Sequence, residues 1–392
     1  MVRLIFLTDF TEAYPHHLLR GILQYAREQG HESWVVCRMP PSYKEEYGIR
    51  GVLKWAKKWG ANAIIGRFNI DEDVLLFQQN KIVVIAQDFK KRFSVIPNIT
   101  SDYISTGDIA GKYFLDKGFT SFAFYGYKDT VWSDERCEGF RQRIIKAGYE
   151  HNFFEYKKQR LENLWFYEST PLVNWLKSLP LHTAVFCCDD NQGNKIAEVC
   201  KFSNIRIPND LAVLGVDNDE TLCLLSDPPL SSIRLDIEKG GYEVAQLITQ
   251  IIQRNDNALK DITIQPGGII NRMSTNVYAT DDPAILKAMD YIHNNLSHQI
   301  NVKDILRQVP LSRRLLEIRF REITGQSIYK YISIRRMELF ADLLLERDAP
   351  IADIAMEVGF ENYGNLSRRF KEVKGCTPME YRRHNKSGKI YH

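Results

Sequence analysis

Five short apolar runs in this sequence each stop at a charged residue. Asp9 follows "LIFLT", Arg67 follows "AIIG", Asp88 follows "VVIAQ", Asp189 follows "AVFCC" and Asp217 follows "VLGV". Carboxylates and a guanidinium brought together suit a polyhydroxylated ligand. A carboxylate accepts from two neighbouring hydroxyls, and an arginine donates a fork. Phe10, Tyr14 and Trp132 are aromatics able to stack on the C–H face of a sugar. The same carboxylates could ligate a metal, but oxygen-only ligands on separate runs with no repeated spacing argue against it. No phosphate-cradling glycine loop, His-Glu-x-x-His or nucleophile elbow is present, so no catalytic chemistry is expected. A second constellation lies near the C-terminus, in "GFENYGNLSRRFKEVKGCTPMEYRR" (359–383). It places asparagines and arginines on a helical pattern behind a glycine turn. Arg can read guanine, Asn can read adenine, and Tyr or Ser can hold phosphates.

The strand-end residues need a scaffold that gathers them. Residues 1–275 alternate apolar runs with amphipathic segments: "RLIFLTD" (3–9), a helix over 16–30, "SWVVCRM", a helix near 49–59, "NAIIGRF", a helix near 71–79 and "KIVVIAQD". "SFAFYGY" (121–127), "TAVFCCDD" (183–190) and "LAVLGVDND" (211–219) continue the pattern, with helices from about 134, near 168–179 and near 191–202. Nearly continuous apolar strands between helices predict parallel sheets covered on both faces. In such sheets ligands bind beyond the carboxyl ends of the strands. There are too many units for one sheet. Two α/β lobes are expected, meeting near 100–120, with a later crossover near 230–240. A linker over 276–283 leads into residues 284–392, which carry helical periodicity and no strand signal.

Composition separates the two regions further. The net charge is +3, yet residues 281–392 hold 19 Lys and Arg against 15 Asp and Glu, so the positive excess sits in the last quarter. That hints at a polyanionic partner there. Seven scattered cysteines without a Cys-x-x-Cys pair suit a reducing cytoplasm. The first apolar run is too short for an export signal, and no run approaches the length of a membrane span.

The helical region holds a weak internal repeat. "NVKDILRQVPLSRRLLEIRFREITG" and "PIADIAMEVGFENYGNLSRRFKEVKG" each give a short helix, a turn, and a second helix closing on Phe-(Arg/Lys)-Glu and Gly. Ser312 is a good N-cap, Ala355 is expected to pack two helices together, Gly359 to make the turn, and Leu366 and Phe370 to face inward. With "DIAMEVGF", "LSRRF" and "GCTPMEYRR", this region resembles the AraC-type DNA-binding domain over roughly 283–384. The resemblance implies two helix-turn-helix units entering successive major grooves. Carried over by position, it implies DNA contacts by Arg313, Arg314 and Glu317, and by Asn362, Tyr363, Asn365 and Arg368. The first unit departs from the pattern, with Pro310 where the turn usually has a small residue.

The stretch "SDYISTGDIAGKYFLDKGFTSFAFYGY" and the alternation before and after it resemble the LacI-type effector domain and periplasmic sugar-binding proteins. That implies a periplasmic-binding-protein-like, two-lobed α/β fold. Arg136 in "WSDERCEGF" would be the sugar-clamping arginine, and Asp189 and Asp217 the hydroxyl acceptors. A LacI-type repressor carries its DNA headpiece ahead of the first strand; here the helical domain follows instead. This fusion resembles the xylose-responsive regulators of bacteria. It implies D-xylose as effector, with arabinose, ribose or another small polyol as alternatives, and no cofactor. It further implies a cytoplasmic, nucleoid-associated activator that binds operator DNA as a homodimer and meets RNA polymerase. A sugar-converting enzyme with an accessory domain and a transport-type sugar-binding protein are the rivals from other classes.

Overall fold

The structure is a computed structural model. It describes residues 1–30, 34–69, 72–158, 170–254, 260–276, 282–298, 300–347, 349–360 and 363–386. The chain forms two compact units, Met1–Asn276 and Val277–His392.

The first unit opens with β1 (Val2–Leu7), α1 (Ala13–Glu28), β2 (Trp34–Met39), α2 (Pro41–Trp59), β3 (Ala63–Arg67), α3 (Leu75–Gln79), β4 (Val83–Gln87) and β5 (Asn98–Ser101). It continues with α4 (Tyr103–Asp116), β6 (Ser121–Tyr127), α5 (Val131–Lys146), β7 (Phe153–Lys158), α6 (Thr170–Ser178), β8 (Thr183–Cys187), α7 (Asp190–Phe202) and β9 (Leu211–Val216). It closes with α8 (Glu220–Leu225), β10 (Ser231–Leu235), α9 (Ile237–Arg254), β11 (Ile262–Ile264) and β12 (Pro266–Ile270). Two six-stranded sheets result, ordered β11-β5-β4-β3-β1-β2 and β12-β10-β9-β8-β6-β7. Among the described residues all strand pairings are parallel except β10 with β12. This is the two-lobed α/β architecture that the apolar runs predict.

The chain crosses between sheets three times rather than twice. It passes through Asp102 after β5 and through Asp236 after β10, as the crossover regions near 100–120 and 230–240 anticipate. It crosses again at Gln265, between β11 in the first sheet and β12 in the second. Helix 49–59 proves to be the second half of α2, whose chain bends at Gly48 (φ 65°).

In the second lobe α4 crosses α5 so closely that glycines face backbone. A Cβ on Gly107 would lie 2.1 Å from the Arg136 carbonyl oxygen, and one on Gly139 would lie 2.0 Å from that of Ile104. Asp102 caps α4 by accepting from the Ser105 amide at 3.0 Å. The start of α4, which follows the first crossing, is thereby fixed against the segment of α5 that carries Arg136.

The second unit is helical: α10 (Pro283–Asn294), α11 (Val302–Leu306), α12 (Arg313–Thr324), α13 (Ile328–Glu346), α14 (Ile351–Glu357), α15 (Tyr363–Lys374) and α16 (Pro378–Lys386). Ser312 caps α12 and Gly325 ends it in the left-handed conformation, as the sequence predicts. Two apolar cores form. Ile328, Tyr331 and Ile332 of α13 lie in the first, and Met337, Phe340, Ala341 and Leu344 of the same helix lie in the second. One long helix therefore serves both helix-turn-helix pairs.

Candidate functional site

The first site forms where the carboxyl ends of the two sheets meet. Beyond β1, Asp9 accepts from the Thr11 amide (2.9 Å) and hydroxyl (2.8 Å), a local turn that leads into α1. Tyr14 sits in the first turn of α1. Burial raises the pKa of its hydroxyl; Asp88 and Asp217 push the same way, and Arg67 and Arg136 oppose them. The phenol thus lies among charges from both lobes. Arg67 donates to Glu12 at 2.8 Å, with its guanidinium 6.0 Å from the Phe89 ring.

Arg136 supplies the second lobe's charge and is 3% exposed. It donates to the Cys188 carbonyl and, at 3.3 Å, to Asp217. The ring centroids of Tyr103 and Trp132 lie 5.3 and 5.6 Å from its guanidinium carbon. Its buried Nε has no hydrogen-bond partner among the described residues. Asp217 carries a φ of 100°, a strained value for a residue with a Cβ, of the kind that gathers at ligand sites. Asp189 caps α7 by accepting from the Gln192 amide at 2.7 Å. Burial, with Asp217 close by, pushes its carboxyl up to about 6. The adjacent Asp190 is structural: it accepts from Ser232 at 2.6 Å and from the Asp219 amide at 2.8 Å.

That raised value fixes a pH dependence. A carboxyl that binds its proton more tightly in the folded state contributes stability that is fully present below about pH 4. This contribution is lost as pH rises through about 6. Asp189→Asn, which can still cap α7, therefore gains stability relative to the parent chain between pH 4.5 and 7.5, by an amount on the order of 1–2 kcal/mol. Urea melts of both chains at the two pH values measure this. A stability difference independent of pH would contradict it.

The structure brings together most of the residues expected from strand ends, with two qualifications. Asp88 already accepts from Thr100 (2.6 Å) and Tyr103 (2.8 Å) and pairs with Arg92 at 3.3 Å, so both of its oxygens are engaged. Phe10 packs edge-on against Phe6 and lies under Arg38. Three further residues belong to the site. Glu12 holds Arg67 and acts on both Asp189 and Asp217. Tyr103 lies between Asp88 and Arg136. Gln192 is buried and donates to the Tyr127 hydroxyl at 2.7 Å. Among the described residues no His, Cys, Asp and Glu cluster could hold a metal ion. The lobes are also tied beside the site. Arg92 makes two bonds to Glu135, at 2.6 and 2.7 Å, and the Val131 amide donates to the Phe89 carbonyl at 3.0 Å.

The second site is the exposed face of α12 and α15. Arg313 and Arg314 are exposed, and Arg313 pairs with Glu317 at 3.0 Å. Arg368 is exposed and stands 4.0 Å from Glu372. Such exposed pairs are worth little, so their arginines can exchange partners for an incoming anion. Ala355, Leu366 and Phe370 are buried, and Gly359 turns with a φ of 80°. Asn362 lies outside the described residues, as do the side chains of Tyr363 and Asn365. Arg336 of α13 donates to the carbonyls of Leu296 (3.0 Å), Gly359 (3.2 Å) and His298, and so braces the turn of the second helix pair.

Comparison with known proteins matches both units. Residues 112–275 fit the periplasmic binding protein-like domain, and residues 305–384 fit a helix-turn-helix domain. The xylose operon regulatory protein of Haemophilus influenzae is 30% identical over 331 residues, 82% of this chain and 84% of that protein. Its counterpart in Escherichia coli K12 is 28% identical over 387 residues, 97% of this chain and 96% of that protein. A solved structure of a xylose-binding transcription activator is 26% identical, with a TM-score of 0.69 and 98% of each chain covered. With both modules matched in order and nearly the whole length aligned, this chain belongs to the xylose operon regulatory protein family of DNA-binding transcription regulators.

Proposed function

We propose that this regulator activates a pentose-utilisation operon in response to D-xylose. In this reading residues 1–275 are the effector domain, 276–283 the linker and 284–392 the operator-reading domain, with 277–281 outside the described residues. The observation that carries the sugar assignment is the buried Arg136–Asp217 pair, with Asp189 and Tyr14 beside it and an Arg136 Nε that has no hydrogen-bond partner among the described residues. Neighbouring sugar hydroxyls supply acceptors for Arg136 and donate, one to each, to Asp189 and Asp217, while Trp132 and Tyr14 offer ring faces to the sugar's C–H groups. Arg67 and Asp9 bound the opposite wall. Closure of the lobes on the sugar favours the DNA-competent state only to the extent that the sugar binds that state better. Arg313, Arg314, Glu317, Asn362, Tyr363, Asn365 and Arg368 are assigned to the operator. The protein acts in the cytoplasm as a homodimer that recruits RNA polymerase. The names of its relatives support xylose over other pentoses.

The test is a thermal-shift panel of D-xylose, L-arabinose, D-ribose and D-glucose against the full chain. D-xylose raises the melting temperature by several degrees at saturating concentration and is recovered unchanged. A larger shift with another pentose would move the assignment to that sugar. No shift with any pentose would remove it.

A further inference from the structure

The two operator-facing helices share a layout. Leu316 and Phe320 of α12 and Leu366 and Phe370 of α15 are buried in their respective cores. The residue midway between each buried pair is Ile318 on α12 and Arg368 on α15. At about 100° per residue, a position two residues from both buried neighbours points straight away from the core. Arg368 there is an ordinary exposed charge. Ile318 is not: it is 44% exposed, with Leu315 beside it at 37%, and neither side chain packs into a core cluster. Every other exposed residue of α12 is charged: Arg313, Arg314, Glu317, Arg321 and Glu322. Isolated apolar residues on a surface need no explanation. An isoleucine at the centre of a helix face whose other exposed residues, Leu315 apart, are charged lies outside both cores and faces the assigned ligand. In the major groove the apolar group on offer is the thymine 5-methyl.

We propose that Ile318 reads a thymine methyl in the operator half-site bound by the first helix-turn-helix pair, with Leu315 closing one side of the contact. Arg368, at the matching position, reads by hydrogen bonds. The two pairs thus differ in the chemistry they select: a methyl group under α12 and a hydrogen-bonding base edge under α15. This rests on the assignment of α12 to the major groove.

The experiment uses the full chain to select duplex sites from a random DNA pool. Each thymine of the selected site is then replaced in turn by deoxyuridine, which removes only the methyl, and affinity is read by fluorescence anisotropy. The parent chain loses about three- to fivefold at one or two thymines, the scale of one buried methyl. Ile318→Ala loses a similar factor on the unmodified site and becomes indifferent to deoxyuridine at those positions. Ile318→Val keeps part of the sensitivity, and Arg368→Ala binds more weakly throughout but remains sensitive. The inference is overturned if Ile318→Ala stays as sensitive as the parent at every thymine, or if the parent ignores every deoxyuridine. If the parent chain selects no DNA at all, the groove assignment itself fails and the inference falls with it.

Discussion

Arg136→Ala abolishes the pentose-induced rise in melting temperature and weakens sugar binding by at least about a hundredfold. Each hydrogen bond from a charged group is worth about 1.5–3 kcal/mol, and a sugar that loses two such donors loses two or more powers of ten. The fold suffers as well. Arg136 is the partner of Asp217, whose side chain is only 25% exposed. Removing one member of a buried pair costs about 3–5 kcal/mol, and the residual exposure of Asp217 reduces this to about 2 kcal/mol. Two aromatic rings also lose the cation they flank. Arg136→Lys separates charge from geometry. A lysine keeps the positive charge near Asp217 but lacks the fork that reaches Cys188 and Asp217 together. It therefore recovers most of the stability and little of the affinity. Calorimetric titration with D-xylose and urea melts of both variants measure the two effects. An alanine variant that binds pentose within threefold of the parent would remove Arg136 from the site.

Gly107→Val destabilises the protein by more than about 3 kcal/mol and carries sugar binding away with it. Overpacking ordinarily costs about 1–3 kcal/mol, because side chains can shift. Here the obstacles are main-chain atoms of the facing helix: the Arg136 carbonyl oxygen at 2.1 Å and the Phe140 amide nitrogen at 2.6 Å from the new Cβ. Relief comes only if α4 and α5 separate. Separation uncovers Phe114 and Phe140, both fully buried, and moves the α5 turn that carries Arg136. Gly118→Ala is the control. Gly118 has open space around its Cβ position and a φ of 82°, so it costs only about 1 kcal/mol of backbone strain and leaves the sugar response intact. Urea melts and a pentose thermal shift on both variants separate the two cases. A valine variant that melts within two or so degrees of the parent would show that the helix pair tolerates a wider spacing.

The elements that could be read from sequence were those whose burial left a continuous apolar signature. β6, β8 and β9 are buried along almost their whole length and read as strands at once. β5 carries "NITS", with Asn98, Thr100 and Ser101 buried but polar. Two of these residues are held by carboxylates from other segments: Asn98 donates to Asp261, and the Thr100 hydroxyl donates to Asp88. No local pattern announces such a strand. β7 is an edge strand with Glu155, Lys157 and Lys158 along it, which looks like loop. The third crossing was hidden because β11 and β12 are separated by Gln265 alone and look like one run.

The site divides in the same way. Strand-end positions follow from sheet topology, so Asp9, Arg67, Asp88, Asp189 and Asp217 could be named from where the apolar runs stop. Nothing local marks Glu12, Tyr103 or Gln192. They stand just ahead of a helix or in its first turn, and only the approach of two sheets and the α4–α5 crossing brings them to the same place. The end of the apolar run singles out Asp189, but nothing local shows what engages its neighbour Asp190. Asp190 is drawn inward by the Ser232 hydroxyl and the Asp219 amide, both from beyond β9.

The three sheet-to-sheet crossings have a mechanical consequence. Two tethers between rigid bodies permit both bending and twisting. Three tethers, at Asp102, Asp236 and Gln265, restrict the twist that two would allow. On the proposed function, a pull on Arg136 is a pull on a lobe held at three points of the backbone. The Arg92–Glu135 clasp adds a side-chain tie beside Tyr103, the residue that follows the first tether. On the proposed function, a ligand contact at one guanidinium is thereby borne by the second lobe as a body, through three backbone tethers and one ion pair, rather than by a single helix.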